Sequence, residues 1–301
     1  MKKLVYLISK IDKLKIQRLF IKVLNKSGLA KKINLIFNQN FYNTIFKTPL
    51  INGVGLIHNE HYEPWMNKVL QTLLKIDSRD FIDVGVNIGQ TLLNVRSIDK
   101  DRNYIGFEPN PTCINYVMEL IKINDFKNTT LIPFGIAGND GVEVLHFFDG
   151  DTSDSTASIL TNQNDLSKIK KTIFVPVATC KTIAEKVNLQ NSGIIKIDVE
   201  GAELEVLTSM GELINQTKSY LILEVLPAYN AENKYRIDRQ NKIYEFIEAQ
   251  NYLLYRIKID DNNHLNGFDL LQGFDIHSNM KHTNYVLVAK ENQKTFEAIR
   301  L

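Results

Sequence analysis

The period of apolar positions changes several times along the chain, and each change marks an element. Over residues 1–40, apolar residues recur among basic ones at helical spacing (Leu4, Leu7, Ile8, Ile11, Leu14, Ile16, Leu19, Phe20, Val23, Leu24), which predicts amphipathic helix with a break near Ser27-Gly28. Residues 49–66 carry Gly53, Gly55 and Pro64 and predict irregular chain. Helical spacing returns over Val69–Ile76 and leads into Phe81-Ile82-Asp83-Val84, a short run that predicts a buried strand. The chain then alternates: helix Thr91–Ser97, strand Tyr104–Phe107, helix Cys113–Ile123, strand Thr130–Phe134. Short apolar runs separated by amphipathic helices predict parallel βαβ units with right-handed crossovers.

The pattern loosens over 141–177. Val142–Phe148 alternates as an exposed strand does, Asp149–Ser158 is small and polar, and Thr172–Val177 reads as a further strand. This predicts a β segment inserted over one end of the main sheet. A short helix Thr179–Val187 precedes strand Gly193–Val199, a helix to about Met210, strand Tyr220–Leu226 and helix Ile237–Ala249. Strands Tyr252–Ile259 and Asn284–Ala289 close the chain, with Asp260–Asn279 between them rich in Asn, Asp and Gly and read as a long loop. The expected fold is α/β with a doubly wound, mostly parallel sheet. Residues 1–75 are expected to form a helical extension and lid segment, and 76–301 the main domain.

Composition changes this picture little: 44% hydrophobic and 23% charged residues over 301 positions suffice for one large core without staples. Cys113 and Cys180 lie far apart without metal-ligand spacing, which favours reduced core thiols and a cytoplasmic setting. Charge matters more. Residues 1–32 carry +9, leaving the remainder at −7. A net-acidic body argues against a nucleic-acid partner, which needs a basic face. The basic amphipathic start packs on the domain, lies on an anionic membrane surface, or binds a partner. Its apolar run Leu4–Ser9 stops at Lys10, unlike a secretory signal, and no stretch is long enough to span a bilayer.

Candidate chemistry begins at Asp83-Val84-Gly85-Val86-Asn87-Ile88-Gly89. A strand, a turn with two glycines and a helix start form either an ordinary connection or a loop whose backbone approaches a nucleotide. The dinucleotide fingerprint needs a glycine where Asn87 stands and a third glycine in register, and Asp83 would repel a pyrophosphate. A ligand with an ammonium and a sulfonium, such as S-adenosylmethionine, would gain from that carboxylate. Glu108, at the end of the second strand, can accept from ribose hydroxyls; Asp198 and Glu200 end a later strand. Asp83, Glu108 and Asp198 therefore share the carboxyl edge of the sheet, where open α/β sheets bind ligands. His58, Glu60, His61 and Glu63 lack zinc-protease spacing, so no metal is expected; a substrate-facing lid with His61 as a base is the sharper reading, and structural histidines the plainer one.

Three runs in order, Asp83–Gly89, Phe107-Glu108-Pro109-Asn110 and Ile195-Lys196-Ile197-Asp198-Val199-Glu200-Gly201-Ala202-Glu203, resemble the FkbM family of S-adenosylmethionine-dependent methyltransferases across roughly residues 80–226. The resemblance implies a class I methyltransferase sheet of seven strands and O-methylation of a sugar, glycoconjugate or similar small molecule, as in polysaccharide biosynthesis. It places Asp83, Gly85, Asn87 and Gly89 at the methionine end of the cofactor, Glu108 and Pro109 at the ribose, and the region of Gly138 near adenine. Asp198, Glu200 and His61 are the catalytic candidates, with Glu224 and His58 as further possible bases. The rival expectations are a nicotinamide-dependent Rossmann oxidoreductase, and an inactive methyltransferase-like module docked to a membrane-bound glycan assembly.

Overall fold

The structure, a computed structural model, describes residues 29–42, 44–55, 63–148 and 167–299, together with Val23. A turn of 3-10 helix, Leu29–Lys32, leads into strands β1 (Leu35–Phe41) and β2 (Thr44–Leu50), an antiparallel hairpin. The helix expected through residue 40 therefore gives way to strand over 35–40. Phe37, Gln39 and Phe41 are buried and alternate with exposed Ile36, Asn38 and Asn40, a period of two that helical spacing of the upstream residues had masked. The basic stretch before Leu29 lies outside the described residues, Val23 excepted.

Helix α1 (Pro64–Ile76) starts on a proline at its first turn, where the missing N–H costs nothing. It is followed by β3 (Asp80–Val84), α2 (Gln90–Ile98), β4 (Tyr104–Phe107), α3 (Pro111–Asn124) and β5 (Thr129–Ile132). The intervening segment comprises β6 (Gly135–Ile136), β7 (Gly141–Phe147) and β8 (Lys171–Ala178). Then come α4 (Cys180–Ala184), β9 (Ser192–Ile197), α5 (Glu203–Ser209), α6 (Gly211–Thr217), β10 (Tyr220–Glu224), α7 (Lys234–Ala249), β11 (Tyr252–Ile259), β12 (Leu265–Leu271), β13 (Asn284–Ala289) and α8 (Gln293–Glu297).

The main sheet runs β12-β11-β13-β10-β9-β3-β4-β5. From β5 to β10 the pairings are parallel; β13 is antiparallel to both β10 and β11. Seven strands were expected and eight are present among the described residues. The addition is β12, inside the segment read as loop, paired antiparallel to β11 at the sheet edge. Only Gly267 and Phe268 of its seven residues are buried, so it leaves almost no apolar pattern to read. The segment expected as inserted β structure supplies β7 and β8, which join β6 in a separate sheet, β6-β8-β7.

Alternate residues of the central strands feed two cores. Phe81, Ile194 and Ile222 face a cluster with Val69, Leu92 and Val117 of α1–α3, while Ile82, Ile195 and Leu221 face Val206, Ile214 and Ile243 of α5–α7. Burial on both faces makes these strands continuous apolar runs, as parallel sheets require. The hairpin joins the first cluster through Phe41 and Phe46 and is held to α3 by polar contacts. The Lys47 N–H donates to Asn124 Oδ1 (2.8 Å), Asn124 Nδ2 donates to the Lys47 carbonyl (2.7 Å), and the Tyr116 hydroxyl donates to the Pro49 carbonyl (2.8 Å). The hairpin and α1 thus share one core cluster with the main sheet.

Candidate active site

The strand order reverses at β3, with β4 on one side and β9 on the other, and a cavity of about 620 Å³ opens beyond the carboxyl ends of these strands. That is the position in which open α/β sheets bind ligands, and the volume suits a small molecule. The β3–α2 turn forms its floor. Gly85 has φ +93°, Asn87 +49° and Gly89 +85°, so three left-handed residues fold the turn tightly. Gly85 is required on a second count: a Cβ there would lie 1.9 Å from the Asp198 carbonyl oxygen, because β3 and β9 converge at this point. No side chain caps α2, and Gln90 and Thr91 of its first turn line the cavity.

Glu108 organises this turn. Its Oε2 accepts from the Asn87 N–H at 2.7 Å and its Oε1 from the Asn110 N–H at 2.8 Å. Asn110 in turn caps α3, its Oδ1 accepting from the Thr112 N–H, with Pro111 at the helix start. Burial pushes the Glu108 carboxyl up to about 7, against the pull of these two amides. Each carboxylate oxygen keeps a second lone pair, so a ribose can share Glu108, which lines the cavity beside Pro109.

Asp83 is placed differently from a ligand-facing acid. It is fully buried inside β3 and does not line the cavity. The Tyr104 hydroxyl donates to Oδ2, and Lys196 Nζ stands 4.0 Å from Oδ1, which has no hydrogen-bond partner. Burial raises its carboxyl to about 6, opposed by Lys196 and the Tyr104 bond. Lys196 does line the cavity and links two expected site residues, donating to Asp198 Oδ2 at 2.7 Å. Burial alone would lower the Lys196 ammonium, but Asp198 and Asp83 hold it above its ordinary value.

Asp198, Glu200 and Glu224 form the other half of the cavity with Glu63, Trp65, Asn263, Thr283 and Asn284. The β9–α5 turn carries Glu200 at φ +53° and Gly201 at +113°. It is gripped from both sides: Glu203 Oε1 accepts from the Gly201 N–H (2.7 Å), and Arg239 of α7 donates to the Gly201 carbonyl (2.8 Å) while pairing bidentately with Glu205. Glu224, at the end of β10, accepts from the Thr283 hydroxyl at 3.2 Å. Burial raises its carboxyl to about 8, with Asp198 and Glu200 adding to the effect and Lys196 opposing it. A carboxyl so placed accepts a proton readily, whereas Asp198 is held by the Lys196 ammonium at 2.7 Å.

The structure therefore brings Gly85, Asn87, Glu108, Pro109, Asp198 and Glu200 to one cavity. Gly89 turns the chain behind it, packed toward Leu120. Gly138 is exposed, with nothing near its absent Cβ; Gly135 and Ile136 of β6 line the cavity instead. His61 and His58 lie outside the described residues. Among the described residues no group of three or more His, Cys, Asp or Glu could hold a metal ion. Lys196, Arg239 and Asn263 were assigned no role from sequence. Lys196 stands within a quoted motif, two residues before Asp198 on the same strand face, which is the one available signal; nothing local marks Arg239 or Asn263. Glu63, Leu145, Asn263 and Met280 also line the cavity.

Strand order, the antiparallel β13 and a ligand cavity at the switch point define an α/β protein of the class I methyltransferase type. The methyltransferase FkbM domain matches residues 83–257, and the chain belongs to that family. It is 26% identical over 161 residues to the hexuronic acid methyltransferase AglP of Haloferax volcanii, covering 52% of this chain and 61% of that protein. It is 23% identical over 165 residues to methyltransferase 1 of Beauveria bassiana, covering 50% of this chain and 66% of that protein. The chain thus spans under two thirds of these curated relatives. Among solved structures, methyltransferase FkbM from Methylobacillus flagellatus KT is 16% identical with a TM-score of 0.42, covering 70% of this chain and 44% of that one. Among the described residues no helix is long and apolar enough to cross a membrane.

Proposed function

We propose that this chain transfers a methyl group from S-adenosylmethionine to a hydroxyl of a sugar or glycoconjugate. The observation that carries the reading is the division of one cavity: the Gly85–Gly89 turn with Glu108 on one side, and Asp198, Glu200 and Glu224 on the other. The first half suits an adenosyl ligand, since Glu108 is poised for ribose hydroxyls and the turn lets backbone approach. S-adenosylmethionine supplies an activated methyl on a sulfonium. The chain's own contribution is to hold the acceptor oxygen in line with that carbon and to take its proton. When bound, the cofactor would keep the carbon–sulfur electron pair on sulfur as the acceptor oxygen takes the methyl, and the hydroxyl proton would go to a carboxylate of the chain. Glu224 is the favoured acceptor of that proton and Glu200 the second; Asp198, paired with Lys196, orients. Asp83 supports the turn from below and balances Lys196.

The named substrate of the Haloferax relative favours a carbohydrate acceptor. The oxidoreductase rival is disfavoured by Asn87, which stands where the dinucleotide fingerprint needs a glycine. The reading extends to a cytoplasmic enzyme whose basic first 28 residues contact an anionic membrane, with no nucleic-acid partner; vesicle co-sedimentation with and without those residues tests the contact. The function itself is tested by incubating the purified chain and deuteriomethyl S-adenosylmethionine with cell-derived glycans. Mass-labelled O-methyl groups on sugar are expected. Label on nitrogen, on nucleic acid or nowhere would contradict it.

A further inference from the structure

Glu224 and Asn284 pair across β10 and β13 at the edge of the cavity. The next rung, Leu223–Tyr285–Arg256, crosses β10, β13 and β11 and carries buried polar atoms that methyl transfer does not use. Arg256 is only 8% exposed and Tyr285 is fully buried. Arg256 Nη1 pairs with Asp275 Oδ2 at 2.8 Å, but Nε and Nη2, along the other edge of the guanidinium, have no hydrogen-bond partner. The guanidinium acts electrostatically on the Tyr285 hydroxyl, yet that hydroxyl closes no hydrogen bond. His277 adds two buried ring nitrogens, both without partners. Burial, Arg256 and His282 hold its ring below the ordinary pKa, so at neutral pH it offers one donor and one acceptor. Residues 272–279 form a strap at this cluster: the Phe274 ring meets Tyr285 edge-on, centres 5.0 Å apart, and the His277 N–H donates to the Ala228 carbonyl at 3.0 Å.

We propose that Arg256, Tyr285 and His277 form an oxyanion site, for a carboxylate or a phosphate, which opens as the Asp275 side chain swings to solvent. Charged donors left buried and unpaired cost stability, which a bound anion returns. The Nε–Nη2 edge is the fork that receives two oxygens of such a group side by side, and the tyrosine hydroxyl and imidazole N–H add donors beside it. One water accepts two hydrogen bonds, fewer than the donors gathered here. Asp275 is the replaceable partner, being 55% exposed, where an ion pair gains little. Free phosphate and an acidic or phosphorylated sugar share this chemistry. The site stands independently of the methyl-transfer reading.

The test follows the Arg256 Nε–H signal by NMR in the isotope-labelled full chain, assigned by its loss in Arg256→Lys, during titration with inorganic phosphate. A saturable shift is expected, weakened about tenfold or more in Tyr285→Phe and strengthened in Asp275→Asn, which removes a like charge. Glucose 1-phosphate, methyl glucuronide and methyl glucoside are the further arms. Saturation by the anionic sugars at lower concentration than phosphate assigns the oxyanion to a sugar, and the reverse order assigns it to the free ion; both support the site. No saturable shift, an equal shift with uncharged methyl glucoside, or affinities that neither Tyr285→Phe nor Asp275→Asn changes would overturn it, leaving water alone in the cluster. S-adenosylhomocysteine binding is read on the same samples: its absence from the parent chain counts against methyl transfer and leaves the oxyanion result standing.

Discussion

Adding one methyl group at Gly85 tests whether the β3–α2 turn holds the cofactor. The alanine Cβ would lie 1.9 Å from the Asp198 carbonyl oxygen and 2.9 Å from its carbon. Ordinary contact begins near 3.4 Å, so the ends of β3 and β9 must separate by about 1.5 Å. Opening them strains the Asp198 N–H···Val84 carbonyl bond, now 3.0 Å, worth about 1 kcal/mol. Alanine at φ +93° costs a further ~1–3 kcal/mol. The sum of roughly 2–4 kcal/mol predicts a fall in Tm of about 3–6 °C for a chain of this size. A shift of an ångström or more in a preorganised site predicts about a hundredfold loss in S-adenosylhomocysteine affinity by calorimetry. Gly138→Ala is the control, since nothing lies within 4 Å of its absent Cβ. It is expected to leave both Tm and affinity unchanged. A Gly85→Ala chain that stays folded and binds within about threefold of the parent would refute the assignment of the turn.

Glu224→Gln removes the favoured base; turnover is expected to fall by roughly 10²–10⁴ with little change in S-adenosylhomocysteine affinity, and the rise of activity through about pH 8 is expected to vanish. A retained alkaline limb would assign the proton to another group. Arg239→Ala frees the Gly201 carbonyl and Glu205, so turnover is expected to drop more than cofactor affinity, with partial recovery in Arg239→Lys; equal losses in both would mean general destabilisation. Glu203 is buried with its carboxyl raised to about 7 from 4.5, chiefly by burial. The native state therefore holds this proton more tightly than the unfolded chain. Its contribution is full below about pH 4.5 and lost as pH rises to about 7. Urea unfolding at pH 5 and 8 is expected to show a smaller difference in Glu203→Gln, by on the order of 2–4 kcal/mol; an unchanged difference would contradict the placement.

The parallel part of the fold was legible because its strands are buried on both faces, so Phe81–Val84, Tyr104–Phe107 and Ser192–Ile197 read as apolar runs bounded by turns. Edge elements were not. β12 buries two residues, and the β1–β2 hairpin exposes Ile36 and Ile45, so neither shows the contrast between faces that reveals a strand. The cavity was legible at strand ends, where backbone topology dictates position: Gly85, Glu108, Asp198 and Glu224 all lie there. Asp83 shows where that reasoning stops. A strand-end acid can face the ligand or turn under the loop, and the choice depends on Tyr104 and Lys196 of neighbouring strands, which pair with it only in three dimensions. Arg239 is likewise joined to its turn across 38 positions of chain. Left-handed Asn87 and Glu200 carry no signal beyond the general tolerance of asparagine for that conformation.

The central claim is that the turn at Gly85–Gly89 and Glu108 together hold an adenosyl cofactor. Calorimetric titration of the purified chain with S-adenosylmethionine, and in parallel with a nicotinamide dinucleotide, tests it most directly. One site per chain is expected for S-adenosylmethionine, weakened about a hundredfold by Gly85→Ala and also weakened by Glu108→Gln, with no binding of the dinucleotide. Dinucleotide binding without S-adenosylmethionine binding, or an S-adenosylmethionine site indifferent to both substitutions, would contradict it.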